Sequence, residues 1–157
     1  LEVSPEAVIR GRDRLESEGK EDILLEHWNP NLIPFPDGNF SFVYGLQCIY
    51  YCLELNEVIS EIFRVLEPGG HFAFSFFSDR HEYMKYIDIL EEKDNFDVVR
   101  WSDTHPNPRI RLSPLVRFRS AEDLKRFFGE ASESRVFTEE TDFSPTFNSW
   151  WYIYGKK

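Results

Sequence analysis

Ile33-Pro34-Phe35-Pro36-Asp37-Gly38-Asn39-Phe40-Ser41-Phe42-Val43-Tyr44, followed one helix later by Arg64-Val65-Leu66-Glu67-Pro68-Gly69-Gly70, is the stretch that decides the fold. It reads as turn, buried strand, helix, tight turn, buried strand. Pro34 and Pro36 fix φ, and Gly38 accepts a backbone conformation that other residues resist, so 34–38 is a turn. Residues 40–46 read as a buried strand. Residues 55–66 read as an amphipathic helix with Leu55, Ile59, Ile62, Phe63 and Leu66 on one side. Pro68-Gly69-Gly70 ends that helix. Residues 71–77 carry apolar side chains on both faces, as a parallel strand covered by helices requires.

Upstream, residues 1–3 resemble the tail of a strand. Ser4-Pro5-Glu6 then starts a helix: Ser4 caps free amides, Pro5 suits the first helical position, and Glu6 sits at the positive end of the dipole. Val8 and Leu15, with Ala7 and Ile9, form a partial apolar stripe that fades near Gly19. Ile23-Leu24-Leu25 suits a short strand, and 27–31 a loop. Downstream, Tyr83, Tyr86, Ile87 and Leu90 predict a helix. Residues 95–99 read as a short strand, 104–108 as a loop, and 110–118 as extended. Ser120-Ala121-Glu122-Asp123 opens a helix with Leu124, Phe127 and Phe128 on its apolar face. Residues 134–138 and 148–154 are strands with no helix between them, which predicts an antiparallel pair at a sheet edge. Alternating strands and helices predict an α/β fold: a Rossmann-like, mostly parallel sheet with helices on both faces.

The chain has 157 residues, 41% hydrophobic and 17% aromatic, enough for one domain with a substantial core. No repeat or linker composition interrupts it, so a single domain over 1–157 is expected. The net charge of −10 disfavours non-specific binding to phosphate backbones, so no nucleic-acid partner is expected. Arg109, Arg111, Arg117 and Arg119 are the one dense cationic stretch, and their alternation suits the wet face of a strand or loop. Cys48 and Cys52, four apart in an apolar run, are not a disulfide framework and read as core thiols of a cytoplasmic protein. His27, His71, His81 and His105 are scattered without zinc spacing, so no metal is expected. No apolar run approaches the ~20 residues of a membrane span, and no signal peptide is visible.

The two turns at this separation resemble the later half of class I S-adenosylmethionine-dependent methyltransferases of the type 11-like group. The resemblance covers roughly residues 1–78, and more loosely the end, where Ser149-Trp150-Trp151-Tyr152-Ile153-Tyr154-Gly155-Lys156 looks like the family's last strand. It implies S-adenosylmethionine as cofactor and methyl transfer to an acceptor, with the acidic charge favouring a small-molecule substrate. It also implies a first strand and a glycine-rich loop ahead of Glu2, both absent from this chain. In the family that strand lies between the strand ending at Glu2 and the strand at 40–46. Without it the flanking strands lose their partner, and each buried unpaired backbone group costs about 1–3 kcal/mol. The 157 residues alone are therefore expected to bind the cofactor poorly and to be inactive. Residues 79–118 match no segment of the resemblance; in the family such a segment commonly forms the substrate cover.

In open α/β sheets the ligand lies beyond the carboxyl ends of the strands, so candidate residues follow strands directly. Glu2 is one: an acid at a strand end suits ribose hydroxyls, although alone it reads as a surface glutamate. The resemblance moves it toward ribose binding. Trp28 and Asn29 lie in the next loop; Asn29 stands where the family often has an adenine-binding aspartate, and Pro30 has no N–H to offer the ring. Gln47 and Tyr51 follow the strand at 40–46, near the methionine end of the cofactor. Asp79, His81 and Glu82 are candidates for a base, but no catalytic residue is assigned. Two other readings stand beside methyl transfer: a non-catalytic binding protein on a degenerate methyltransferase scaffold, and a dinucleotide-dependent oxidoreductase that would also use Glu2 for a ribose.

Overall fold

The structure, a computed structural model, describes residues 2, 4–20, 22–28, 32–106, 113–129, 133–143 and 146–157. Its elements run α1 (Pro5–Ser17), β1 (Phe40–Gly45), α2 (Leu55–Val65), β2 (Leu66–Phe77), β3 (Ile87–Glu92), β4 (Phe96–Trp101), β5 (Leu115–Phe118), α3 (Ala121–Phe127), β6 (Arg135–Phe143) and β7 (Thr146–Lys156). Two short 3₁₀ turns, Ile49–Tyr51 and Glu82–Tyr86, follow β1 and β2.

The main sheet has the order β1-β2-β7-β6. β1 and β2 are parallel and joined by α2; β7 is antiparallel to both of its neighbours. The late strand pair is thus antiparallel at the sheet edge, as its spacing predicts. A second sheet, β3-β4-β5, is antiparallel throughout. The whole is a mixed α/β architecture of Rossmann type.

The two deciding motifs are tied to each other. The Arg64 guanidinium donates to the Ile33 and Phe35 carbonyls at 2.9 Å, to Asp37 at 2.7 Å and to Glu61 at 2.8 Å. Gly38 N–H donates to the Arg64 carbonyl at 2.9 Å, with Gly38 at φ 64°. One cation at the end of α2 therefore satisfies the carbonyls of the proline turn before β1. Its hydrogen bond holds the Glu61 carboxyl below the usual carboxylate range.

Residues paired across strands share a face. Phe72, Phe74 and Phe76 are buried on one face of β2. Phe63 of α2 packs on Phe72, ring centroids 5.4 Å apart, and Phe128 after α3 stacks on Phe72 and Phe74 at 5.5 and 5.7 Å. The other face runs through Phe42, His71, Ala73, Tyr152, Tyr154 and Phe137 by register. Here Phe42, Tyr44, Phe137 and Tyr154 remain exposed.

Several expectations are corrected. The strand at 40–46 is not buried on both sides: Phe42 and Tyr44 are 48% and 67% exposed, because β1 pairs only with β2 and its outer edge meets no strand among the described residues. Residues 23–25 form no strand. Among the described residues a parallel bridge joins Glu2 to His27 outside the sheet, and Ile23 and Leu24 are exposed. α1 starts as predicted, Ser4 Oγ accepting from Ala7 N–H at 3.2 Å, yet buries only Val8. The helix predicted over 83–90 is instead a 3₁₀ turn and β3. β-branched Ile87 and Ile89 alternate with Asp88, and Asp88 meets Arg100 across the ladder at 3.3 Å. Arg117 and Arg119 do not face water freely: both bond the buried Asp97 of β4. Arg109 and Arg111 lie outside the described residues.

Candidate functional site

β1 ends at Gly45, and the chain then turns sharply. Gln47 adopts φ 55°, the one non-glycine residue with positive φ among the described residues, and its N–H donates to the buried Ser75 Oγ at 2.7 Å. The 3₁₀ turn Ile49–Tyr51 follows, burying Ile49 and Tyr50 and leaving Tyr51 44% exposed. Tyr50 stacks among Tyr51, Phe77 and Trp150. Burial, and then the neighbouring Tyr51, raise the Tyr50 phenol far above its ordinary value.

Beside the open edge of β1 lies a cleft of about 970 Å³. That is the upper end of the roughly 300–1,000 Å³ range of small-molecule sites. Phe40, Phe42, Val43, Tyr44 and Gly45 of β1 line it together with Glu2, Leu24 and Trp28. Ile33, Phe35, Ile49, Val58 and Ile62 line it further, and its two charged lining residues, Glu2 and Glu54, are both acidic.

The structure thus brings Glu2, Trp28 and Tyr51 together in one lining. Glu2 is anchored by backbone bonds to Glu26 and Trp28, and one carboxylate oxygen accepts from Ser4 N–H at 2.9 Å. The Trp28 indole N–H is buried with no hydrogen-bond partner, a donor whose desolvation costs about 1–3 kcal/mol until an acceptor reaches it. Gln47 stands at the end of β1 but not in the lining, and Asn29 lies outside the described residues. Reading the sequence alone missed Cys48, Cys52 and Glu54 at this cleft. The signal was their place directly after β1. Burial pushes the Cys52 thiol up to about 11 and raises Cys48 as well.

The three candidate bases fare differently. His81 is 2% exposed, its Nδ1 accepts from Tyr83 N–H at 3.1 Å, and Asn148 also bonds its side chain. Buried, and with Nδ1 already accepting a hydrogen bond, His81 is no free base. Asp79 is exposed and Glu82 half-buried, and neither lines the cleft. Among the described residues no group of three or more His, Cys, Asp or Glu side chains is placed to hold a metal. No described helix is long and apolar enough to cross a membrane.

Residues 1–74 match the family model described as methyltransferase domain. The demethylmenaquinone methyltransferase of Listeria welshimeri is 32% identical over 76 residues, which are 46% of this chain and 31% of that protein. The 27-O-demethylrifamycin SV methyltransferase of Amycolatopsis mediterranei is 30% identical over 78 residues, 49% of this chain and 29% of that one. The chain therefore spans about a third of the curated relatives it matches. Among solved structures, a SAM-dependent methyltransferase of Methanosarcina mazei superposes with a TM-score of 0.66 at 17% identity, over 99% of this chain and 79% of that one. The sequence match covers the Glu2 and Trp28 walls and β1 and reaches into β2, and the fold match extends through β7. Over residues 1–74 the chain is thus similar to the methyltransferase domain family, and it shares its fold with solved S-adenosylmethionine-dependent methyltransferases.

Proposed function

We propose that this chain carries the cofactor-cleft wall and the substrate cover of an S-adenosylmethionine-dependent methyltransferase acting on a small-molecule acceptor. The observation that carries the reading is the shared cleft: Glu2, Trp28 and Tyr51, separated by up to 49 positions in sequence, line one apolar space beside β1. The residues fit the cofactor's adenosine side. The Glu2 carboxylate suits ribose hydroxyls, and the unpartnered Trp28 N–H supplies a donor for a ring or hydroxyl acceptor. Glu2 and Glu54, with the aromatic walls, favour a cation in the cleft.

When bound, S-adenosylmethionine supplies an already activated methyl group on a sulfonium. The protein's work is then alignment and exclusion of water. Gln47, held by Ser75, and Tyr51 fix the loop after β1, where the methionine end of the cofactor is expected. β3-β4-β5 is the segment we assign as substrate cover. The two curated relatives are named for demethylmenaquinone and 27-O-demethylrifamycin SV, both small molecules, which supports that class of acceptor. Asn29 remains part of the proposed adenine loop.

The open edge of β1 predicts that these 157 residues alone hold the cofactor poorly. Calorimetric titration with S-adenosylmethionine should give no micromolar binding. Supplying a first strand and a glycine-rich loop ahead of the chain should restore it. In that extended protein Glu2→Ala should weaken binding at least tenfold; unchanged affinity would remove Glu2 from the site, and micromolar binding to the bare chain would overturn the expectation of poor binding. Transfer of labelled methyl to small-molecule acceptors separates the enzyme from a binding protein on the same scaffold.

A further inference from the structure

Where β2 ends, the chain leaves the main sheet for the second one, and the crossing is built around buried histidine. His81 is 2% exposed and His105 fully buried, and both pack on Tyr83, at 5.0 and 4.6 Å between ring centroids. Phe77 of β2 and Trp150 of β7 meet the His81 ring at 4.7 and 5.4 Å, both nearly perpendicular to it. Trp101 of β4 packs on Phe77, Tyr83 and His105. The two sheets are joined through this aromatic box. Hydrogen bonds fix its floor: Ser78 Oγ donates to Ser149 Oγ at 2.6 Å, Ser78 N–H to the Ser149 carbonyl at 3.1 Å, and His81 N–H to the Ser78 carbonyl at 3.2 Å.

From this the geometry points to His81 as an acid-labile latch that holds the turn at 81–86, and with it the second sheet, against the carboxyl edge of the first. Because Nδ1 accepts from Tyr83 N–H, the ring's single proton belongs on Nε2. A second proton must go to Nδ1. That turns the acceptor into a donor facing a donor and removes the bond that starts the 3₁₀ turn. Burial lowers the affinity of the ring for that proton, while Asn148 and the Glu82 carboxylate work weakly the other way.

The groups facing the ring are few. Phe77, Asn148 and Trp150 carry no charge; Glu82 and Tyr83 are its titratable neighbours on its own turn. Arg80 and Glu140 pair with each other at 2.7 Å. The aromatic faces offer an imidazolium some cation–π attraction, but Phe77 and Trp150 are already committed to packing on the neutral ring. With the folded value depressed below the ordinary ~6.5, the neutral ring's contribution is complete above that pH and is lost as pH falls below it. The latch stands apart from the methyl-transfer reading and is tested without cofactor.

Hydrogen–deuterium exchange of the 157-residue chain between pH 7.5 and 5.0, corrected for intrinsic rates, reads it directly. Protection at 81–86 and 146–150 should fall at least tenfold below pH 6, while 72–76 stays protected. His81→Phe, which fills the box without a titratable group, should abolish the change. If that variant does not fold, the His81 ring proton of the native chain, followed by NMR, should titrate below 6.5 together with the loss of protection. Unchanged protection, loss over both sheets together, titration at or above 6.5, or a response that disappears instead in His105→Phe would each overturn the latch.

Discussion

Gly38 sits at φ 64° in the turn that precedes β1, and the space around it is ordinary: a Cβ there would meet only the Glu67 Cα, at 3.6 Å. The cost of a side chain is therefore the backbone conformation alone. Gly38→Ala should destabilise by about 1–2 kcal/mol, and Gly38→Asn by less, since asparagine enters that region more readily. Urea denaturation of the two variants checks both the size and the order. The turn chemistry was legible because proline and glycine announce their φ. The reason the two motifs occur together was not. Arg64 reads in sequence as one more charged residue near a helix end. Only the fold shows it donating to Ile33, Phe35 and Asp37, 27 to 31 positions earlier. Long-range hydrogen bonds leave no period in a sequence. The same holds for Glu2 and Trp28, whose meeting in one cleft with Tyr51 depends on topology.

At the scale of elements, the pattern of β2 gave both faces apolar residues, and the structure uses them unequally. Phe74 is 1% exposed, packed against Phe72 and Phe128, while the register puts Phe42 of β1 on the opposite, uncovered face. Phe74→Ala should cost about 3–5 kcal/mol, a large share of a domain stability of about 5–15 kcal/mol. Phe42→Ala should stay within about 0.5 kcal/mol, as exposed positions do. Chemical denaturation that found the two equal would mean the outer face is covered in solution. Elements whose pattern and partners agree, such as α2, α3, β2, β6 and β7, were readable in kind, although α2 ends at Val65 and β2 already begins at Leu66, taking in the Pro68-Gly69-Gly70 expected as a turn. Those that failed depended on a neighbour. Ile23-Leu24-Leu25 has strand composition but no ladder to join. Ile87 to Leu90 fits a helical stripe about as well as a strand until β4 offers Trp101 and Arg100 as partners. Apolar spacing over four residues does not separate those outcomes.

For the whole molecule, the edge of β1 governs behaviour. Phe40-Ser41-Phe42-Val43-Tyr44-Gly45 carries no charge and no proline, the features that blunt edge strands. The net charge of −10 opposes association at long range but does not protect the edge itself. The isolated chain should therefore self-associate as concentration and salt rise. Tyr44→Lys, at a position 67% exposed, should shift it toward monomer in size-exclusion chromatography coupled to light scattering. An unchanged elution profile would place the contact elsewhere.

The strand order has a further consequence, one of timing. β7 is last in sequence yet lies inside the sheet, between β2 and β6, and Ala73 pairs with Tyr154 across 81 positions. Near the same edge the Lys157 ammonium bonds the carbonyls of Phe63 and Leu66, where α2 gives way to β2. On a ribosome, β2 would emerge long before the strand that must lie beside it. Its Phe72, Phe74 and Phe76 would wait with one edge bare while some seventy more residues are made. A nascent chain of this design cannot assemble its sheet progressively. It closes in one late step, and slowly, because contacts so distant in sequence carry the entropy of a long loop. The interval before that closure is when a holding chaperone would matter most.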